Sequence, residues 1–133
     1  MLEGVAFSLR DTFEIFAATG IPVREVRLAG GGARSEVWRQ IEADVYARRT
    51  VLLQNTEGAA YGAALLALVG AGVFNSVPEA CKRAIAVATE VEVNRANAAE
   101  YNALYPIYTS LYSALRCSMH ELGRLESRIS LAA

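Results

Sequence analysis

The residues best suited to chemistry are three consecutive glycines, set in the run Leu28-Ala29-Gly30-Gly31-Gly32-Ala33-Arg34-Ser35. Three residues without a Cβ let a ligand approach the main chain closely. A strand-like segment leads into them, and a helical pattern opens directly after. The start of a helix presents unpaired N–H groups that favour an anionic or polar ligand. The chemistry suggested is recognition of a nucleotide by backbone; a structural strand-to-helix turn is the other reading of the glycines alone. A dinucleotide fingerprint would need Gly-x-Gly-x-x-Gly and an acidic residue after the next strand. Here Ser35 takes the third glycine position and Gln54 ends the next strand. A phosphate cradle ending in Gly-Lys-Ser is absent, since Lys82 is the only lysine.

Other reactive groups are sparse. His120 is the only histidine and stands far from the glycines, as a surface or packing residue. No Ser-His-Asp or Cys-His arrangement assembles around it. Cys81 and Cys117 lie far apart in helical segments, without the clustered partners of a zinc site, and read as two buried free thiols. Asp11, Glu42, Asp44, Glu57 and Glu100 read as helix-face or capping carboxylates. Glu57 draws interest because Glu57-Gly58 follows a strand end, where parallel sheets bind ligands. Its plainer role is a favourable charge in a first helical turn. Tyr101, Tyr105, Tyr108 and Tyr112 recur at helical spacing, as a core stripe with hydroxyls reaching the rim.

Composition narrows the class. The chain of 133 residues suits one globular domain with a modest core, and 53% of it is apolar. A formal net charge of -1 with scattered arginines leaves no footprint for nucleic acid. No apolar run approaches a membrane span, and no secretory signal is visible. A cytoplasmic location is expected.

The elements that must position the glycines follow from periodicity. Leu2, Val5, Ala6, Leu9, Phe13 and Phe16 predict a helix from the first residues, ended by Gly20-Ile21-Pro22. The chain thus begins as though cut from something longer. Val23 to Ala29 predicts a strand. Ser35 can cap the next helix, whose stripe is Trp38, Ile41 and Val45. Thr50 to Gln54 reads as a strand covered on both faces. Asn55 or Thr56 caps a helix of mostly small residues, closed by Gly70 and Gly72. Ser76-Val77-Pro78-Glu79 is a capping box with proline in the first turn. Asn97-Ala98-Ala99-Glu100 repeats that logic before a long helix to about Leu125, which Pro106 should kink. Residues 127–133 are expected to fray. The predicted fold class is α/β, with two parallel strands and flanking helices. Two strands make a poor sheet, so the strand before the glycines should lack a neighbour.

Three segments carry a resemblance. They are Leu2-Glu3-Gly4-Val5-Ala6-Phe7, Gly30 through Gln40, and Glu57-Gly58-Ala59-Ala60-Tyr61-Gly62-Ala63-Ala64. In this order they resemble the C-terminal domain of FGGY-family carbohydrate kinases, over about Leu2 to Arg116 and most nearly in the xylulose kinase branch. The closing Tyr105-Pro106, Tyr108 and Leu111-Tyr112 are similar to that branch too.

The resemblance implies part of an actin-like, ribonuclease H-like ATPase domain, its C-terminal half, spanning residues 1–126. It implies an adenosine motif at Gly30, Gly31, Gly32 and Ala33, with Gly32 and Ala33 against the nucleotide. Glu36 occupies a position that family members use beside adenine, in place of the asparagine of glycerol kinases. The helix after Glu57 would pack at the hinge between domains. ATP with Mg2+ would be the phosphoryl donor, and a ketopentose or similar polyol the acceptor. The sugar site, the catalytic aspartate and the phosphate-binding hairpin are expected outside this sequence, leaving the chain inactive alone. Gly32→Val should obstruct the nucleotide. Two other readings stand beside this one. The first is a non-catalytic association module that forms a homo-oligomer. The second is an unrelated Rossmann-like nucleotide binder, which would prefer NAD to ADP.

Overall fold

The computed structural model describes the backbone of residues 1–55 and 57–130 and the side chains through Leu125. Nine elements follow in order: α1 (Leu2–Ala18), β1 (Val26–Leu28), a 3-10 turn (Gly31–Arg34), α2 (Glu36–Tyr46), β2 (Thr50–Leu53), α3 (Gly58–Gly70), α4 (Val77–Ala84), β3 (Val87–Val91) and α5 (Arg95–Ser130). β1 and β2 pair in parallel, with Val26 opposite Thr50 and Leu28 opposite Leu52. The helical crossover between them forces that direction. The expected parallel pair is therefore present. A third strand adds to it: β3 lies antiparallel on the other edge of β2, giving the order β1-β2-β3. β3 fills a stretch where only helices were expected. Val87, Thr89, Val91 and Val93 alternate there with Ala88, Glu90 and Glu92. That two-residue period is the signal for a strand.

Helix ends follow local chemistry. Two glycines stop helices by the same left-handed device. Gly20 (φ 76°) donates to Ala17 while Ile21 donates to Phe16; Gly72 (φ 77°) donates to Val69 while Val73 donates to Leu68. Ser35 caps α2 by accepting from the Trp38 N–H at 3.3 Å. Ser76 accepts from the Glu79 N–H, but the Glu79 carboxylate reaches back to Asn75, one residue short of a reciprocal box. α3 is not capped by Asn55 as expected: its N-cap is Glu57, without a side-chain cap bond, and Asn55 accepts from the Glu57 N–H at 2.9 Å ahead of the helix; the alternative cap, Thr56, lies outside the described residues. α5 starts earlier than expected because Asn94, not Asn97, caps it, taking the N–H groups of Ala96 and Asn97. α5 continues through Pro106 to Ser130. Residues 131–133, in the tail expected to fray, lie outside the described ones.

α2 ends on Ala47 in the left-handed region, at φ 48° and ψ 40°. An L-residue there pays a steric penalty that glycine avoids. Ala47→Gly is expected to stabilise the domain by roughly 0.5–1 kcal/mol, read as a higher urea midpoint at unchanged slope.

The core lies between α1, α2, β1 and the first turns of α5. Ala6, Phe7, Val45 and Tyr46 form its buried centre, with Phe13, Val26, Trp38 and Ile41 packed around them. Phe7 meets the rings of Tyr101, Tyr105 and Tyr108 at 5.8, 5.9 and 5.2 Å. The expected tyrosine stripe thus packs as three residues, while Tyr112 stays 61% exposed because α5 has by then left the body. Both cysteines are free, as expected, but neither is fully buried: Cys81 is half-buried and Cys117 exposed. Among the described residues no helix is long and apolar enough to cross a membrane.

Candidate functional site

Because β1 and β2 are parallel, their carboxyl ends open on one side of the sheet. Ligands of open α/β sheets settle in the crevice outside such ends. Ala29 and Arg34 on one side and Glu57 and Gly58 on the other meet there. Arg34 pairs with Glu57 at 3.6 Å across the gap, and a Cβ at Gly58 would stand 3.6 Å from that of Ala29. The fold therefore brings the glycine run and Glu57 together, although 24 residues of other structure separate them in the chain.

The three glycines do different work. Gly30 has φ 79° and ψ -173°, a conformation that L side chains rarely adopt. Gly31 is exposed and a Cβ there would meet nothing within 4 Å. Gly32 is small for an internal reason: a Cβ would stand 3.2 Å from Cδ1 and Nε1 of Trp38. Gly31 and Gly32 belong to the 3-10 turn, so α2 does not open directly after the triplet as expected; it begins at Glu36, behind the Ser35 cap. Ala33 turns inward at 2% exposure. Its carbonyl accepts a 2.7 Å hydrogen bond from Arg39 Nη1, which braces the turn from behind. Glu36 is exposed and its carboxylate pairs with Arg39 at 3.8 Å.

Behind the turn lies a cavity of about 300 Å³. Leu9 and Phe13 of α1, Leu28 and Ala29 of the β1 end, and Trp38 and Glu42 of α2 line it. Glu42 is 7% exposed, and its Oε1 accepts from the Tyr46 hydroxyl at 3.3 Å. Burial raises the Glu42 pKa above the ordinary glutamate value, with the Tyr46 hydrogen bond opposing in part. Burial chiefly, then the Glu42 carboxylate beside it, push the Tyr46 phenol far upward. A raised carboxyl pKa means that the folded state binds more protons than the unfolded one between the two values. Its contribution is full below the ordinary glutamate pKa and is lost as pH rises through the folded value. Glu42→Gln keeps an acceptor for Tyr46 without the charge. The stability difference, variant minus parent, is expected to grow from pH 4 to pH 7 in paired urea titrations. A pH-independent difference would contradict it.

Asp44, an ordinary helix carboxylate by residue type and position, is 1% exposed. Oδ1 accepts from the Asn94 N–H and from Gln40 Nε2, both at 2.8 Å, and Oδ2 accepts from Asn97 Nδ2 at 3.0 Å. Gln40 is one helical turn away, but the other two partners lie 50 and 53 residues on, and no local spacing signals them. The Asp11 carboxylate accepts from the Tyr105 hydroxyl, and the Arg10 guanidinium lies 4.2 Å over the Tyr105 ring. His120 is exposed on α5, remote from the glycines in the chain.

The architecture is thus an α/β unit whose glycine turn crosses the ends of a parallel strand pair. The model of the FGGY family of carbohydrate kinases, C-terminal domain, matches residues 1–71. Xylulose kinase from Bacillus subtilis is 35% identical over 113 residues, covering 85% of this chain and 23% of its own length. The crystal structure of xylulose kinase from Rhodospirillum rubrum superposes with a TM-score of 0.74 at 31% identity, over 90% of this chain and 24% of that one. Gluconate kinase from Lactobacillus acidophilus superposes with a TM-score of 0.80 at 24% identity, over 91% of this chain and 24% of that one. The chain belongs to the FGGY family of carbohydrate kinases and corresponds to part of their C-terminal, actin-like domain. It spans about a quarter of the length of these relatives.

Proposed function

We propose that this chain forms the adenosine side of the nucleotide site in an ATP-dependent sugar kinase. The whole protein's reaction is transfer of the ATP γ-phosphoryl group to a hydroxyl of a ketopentose or similar polyol. One observation carries this reading: the backbone at Gly30 and Gly31 stands open at the carboxyl ends of β1 and β2. Gly30, Gly31 and Gly32 present main chain to the nucleotide, and Ala33 sets the turn from beneath. Glu36 stands at the rim, where its carboxylate is oriented by Arg39.

Phosphoryl transfer depends on positioning and on charge stabilisation at the phosphates. This chain's part is positioning of the nucleoside. Among the described residues no three His, Cys, Asp or Glu side chains gather to hold a metal. In this proposal Mg2+ is the counter-ion carried by the nucleotide phosphates. Binding without sugar-dependent ATP turnover is expected of the chain alone. We place the protein in the cytoplasm and propose that it self-associates. The support for association is the outer edge of β1, where Arg27 directs its N–H and C=O away from β2, together with the exposed apolar surface of α5.

The test is a calorimetric titration of the chain with Mg-ADP, and with NAD in parallel. Saturable binding of Mg-ADP, tighter than NAD, supports the reading. Preference for NAD favours an unrelated dinucleotide binder. A folded chain that binds neither overturns the claim that it holds the adenosine side by itself.

A further inference from the structure

A pair of opposite charges spans the gap between the β1 and β2 ends. Arg34 closes the 3-10 turn, and its Nη2 stands 3.6 Å from Oε1 of Glu57. The main chain behind each partner is fixed. Beside Arg34, the Ala33 carbonyl accepts the 2.7 Å bond from Arg39, and the Ser35 N–H donates to the Gly32 carbonyl at 3.0 Å. On the far side, the Glu57 N–H donates to Asn55, and the Glu57 carbonyl accepts from the Tyr61 N–H at 2.8 Å as α3 opens. The Glu57 carboxylate makes no cap bond to α3 and turns to Arg34 instead.

The two side chains are free where their backbones are not. They are 73% and 70% exposed, and an ion pair so open to water is weak and screened by salt. Other guanidiniums around the sheet are committed elsewhere. Arg27 and Arg49 share Glu25, next to the amino ends of the same two strands, and Arg49 also holds Glu90. Arg39 is 16% exposed and bound to the Ala33 carbonyl. Arg34 is the one of these four that can leave its partner while staying within three residues of the open main chain at Gly31.

A nucleotide seated on that main chain brings negative charge into the gap, where Glu57 repels it and Arg34 attracts it. A phosphate carries more charge than a carboxylate, and its oxygens match the planar guanidinium fork. It therefore displaces Glu57 from Arg34. The turn that seats the nucleoside also carries Arg34, so the phosphate within reach is the one attached to the ribose.

We infer that Arg34 exchanges Glu57 for the phosphate nearest the ribose. The inference rests on the nucleotide reading above and adds to it a side chain that reads the anion. The test is calorimetric titration of the full chain with adenosine and with AMP, which differ by that one phosphate. The parent is expected to bind AMP about tenfold more tightly than adenosine. In Arg34→Gln that preference should vanish. In Glu57→Gln, which removes the competing carboxylate, it should rise by about threefold. Both positions are exposed, and thermal melts should show the variants folded like the parent. A parent that binds AMP and adenosine equally overturns the phosphate contact and leaves the nucleoside seat standing. An Arg34→Gln variant that keeps the parent's preference, even with both affinities lowered, does the same. A preference that does not rise in Glu57→Gln overturns the exchange. A folded parent that binds neither ligand overturns the nucleotide reading and this contact with it.

Discussion

Asp44→Ala is expected to destabilise the domain by about 3 kcal/mol, or roughly 10 °C in Tm. The reason is the number and type of groups that the carboxylate serves. It accepts from the Asn94 backbone N–H, from Gln40 and from Asn97, and it is itself 1% exposed. Hydrogen bonds to a charged acceptor are about twice as strong as neutral ones. Alanine removes all three and leaves a backbone donor at the start of α5 without its partner. Asn94 is also the residue whose side chain caps α5. The damage should therefore spread to the packing of Tyr101 and Tyr105 against Phe7. Asp44→Asn retains one oxygen acceptor and should lose about half as much. Urea titration with far-UV and near-UV circular dichroism measures both. A loss below about 1 kcal/mol in the alanine variant would mean that the carboxylate does not hold α5 to α2.

Gly31→Val is expected to weaken Mg-ADP binding by about tenfold or more, equivalent to 1.4 kcal/mol, while Tm stays within a few degrees. A Cβ at Gly31 meets no protein atom within 4 Å, so the substitution needs no repacking, and its branched side chain stands in open space at the turn where the nucleotide is proposed to lie. Calorimetry and a thermal melt on the same sample separate the two effects. Undiminished affinity would remove the nucleotide from this turn. Gly32→Val, the variant that the glycine run first suggests, is the poorer probe. Its Cβ would stand 3.2 Å from the Trp38 ring, so the ring or the turn must shift even without ligand. A binding loss there would mix obstruction with repacking.

The local grammar of the chain was legible. Gly20 and Gly72 as helix stops, Ser35 and Ser76 as caps, and the parallel pairing of β1 and β2 follow from residue type and spacing. The family was legible because three motifs recur in a fixed order, and 35% identity to a xylulose kinase agrees with it. The rhythm of β3 was also present in Val87, Thr89 and Val91, but a five-residue run is short against the helical patterns on either side.

The amino-acid sequence by itself determined what depends on near neighbours: helix periods, caps, left-handed glycines and the motif order that places the chain among FGGY carbohydrate kinases. The tertiary structure alone decided which carboxylates are buried and which glycine stands open. Glu42, Asp44 and Glu36 lie within one helix and read alike in sequence. Yet Asp44 meets partners 50 and 53 residues on, Glu42 faces a cavity, and Glu36 stays at the surface. Gly31 and Gly32 are adjacent and identical, and only the position of the Trp38 ring separates them. Burial and open space belong to the assembled neighbourhood, which contacts across the chain create and which no local spacing contains.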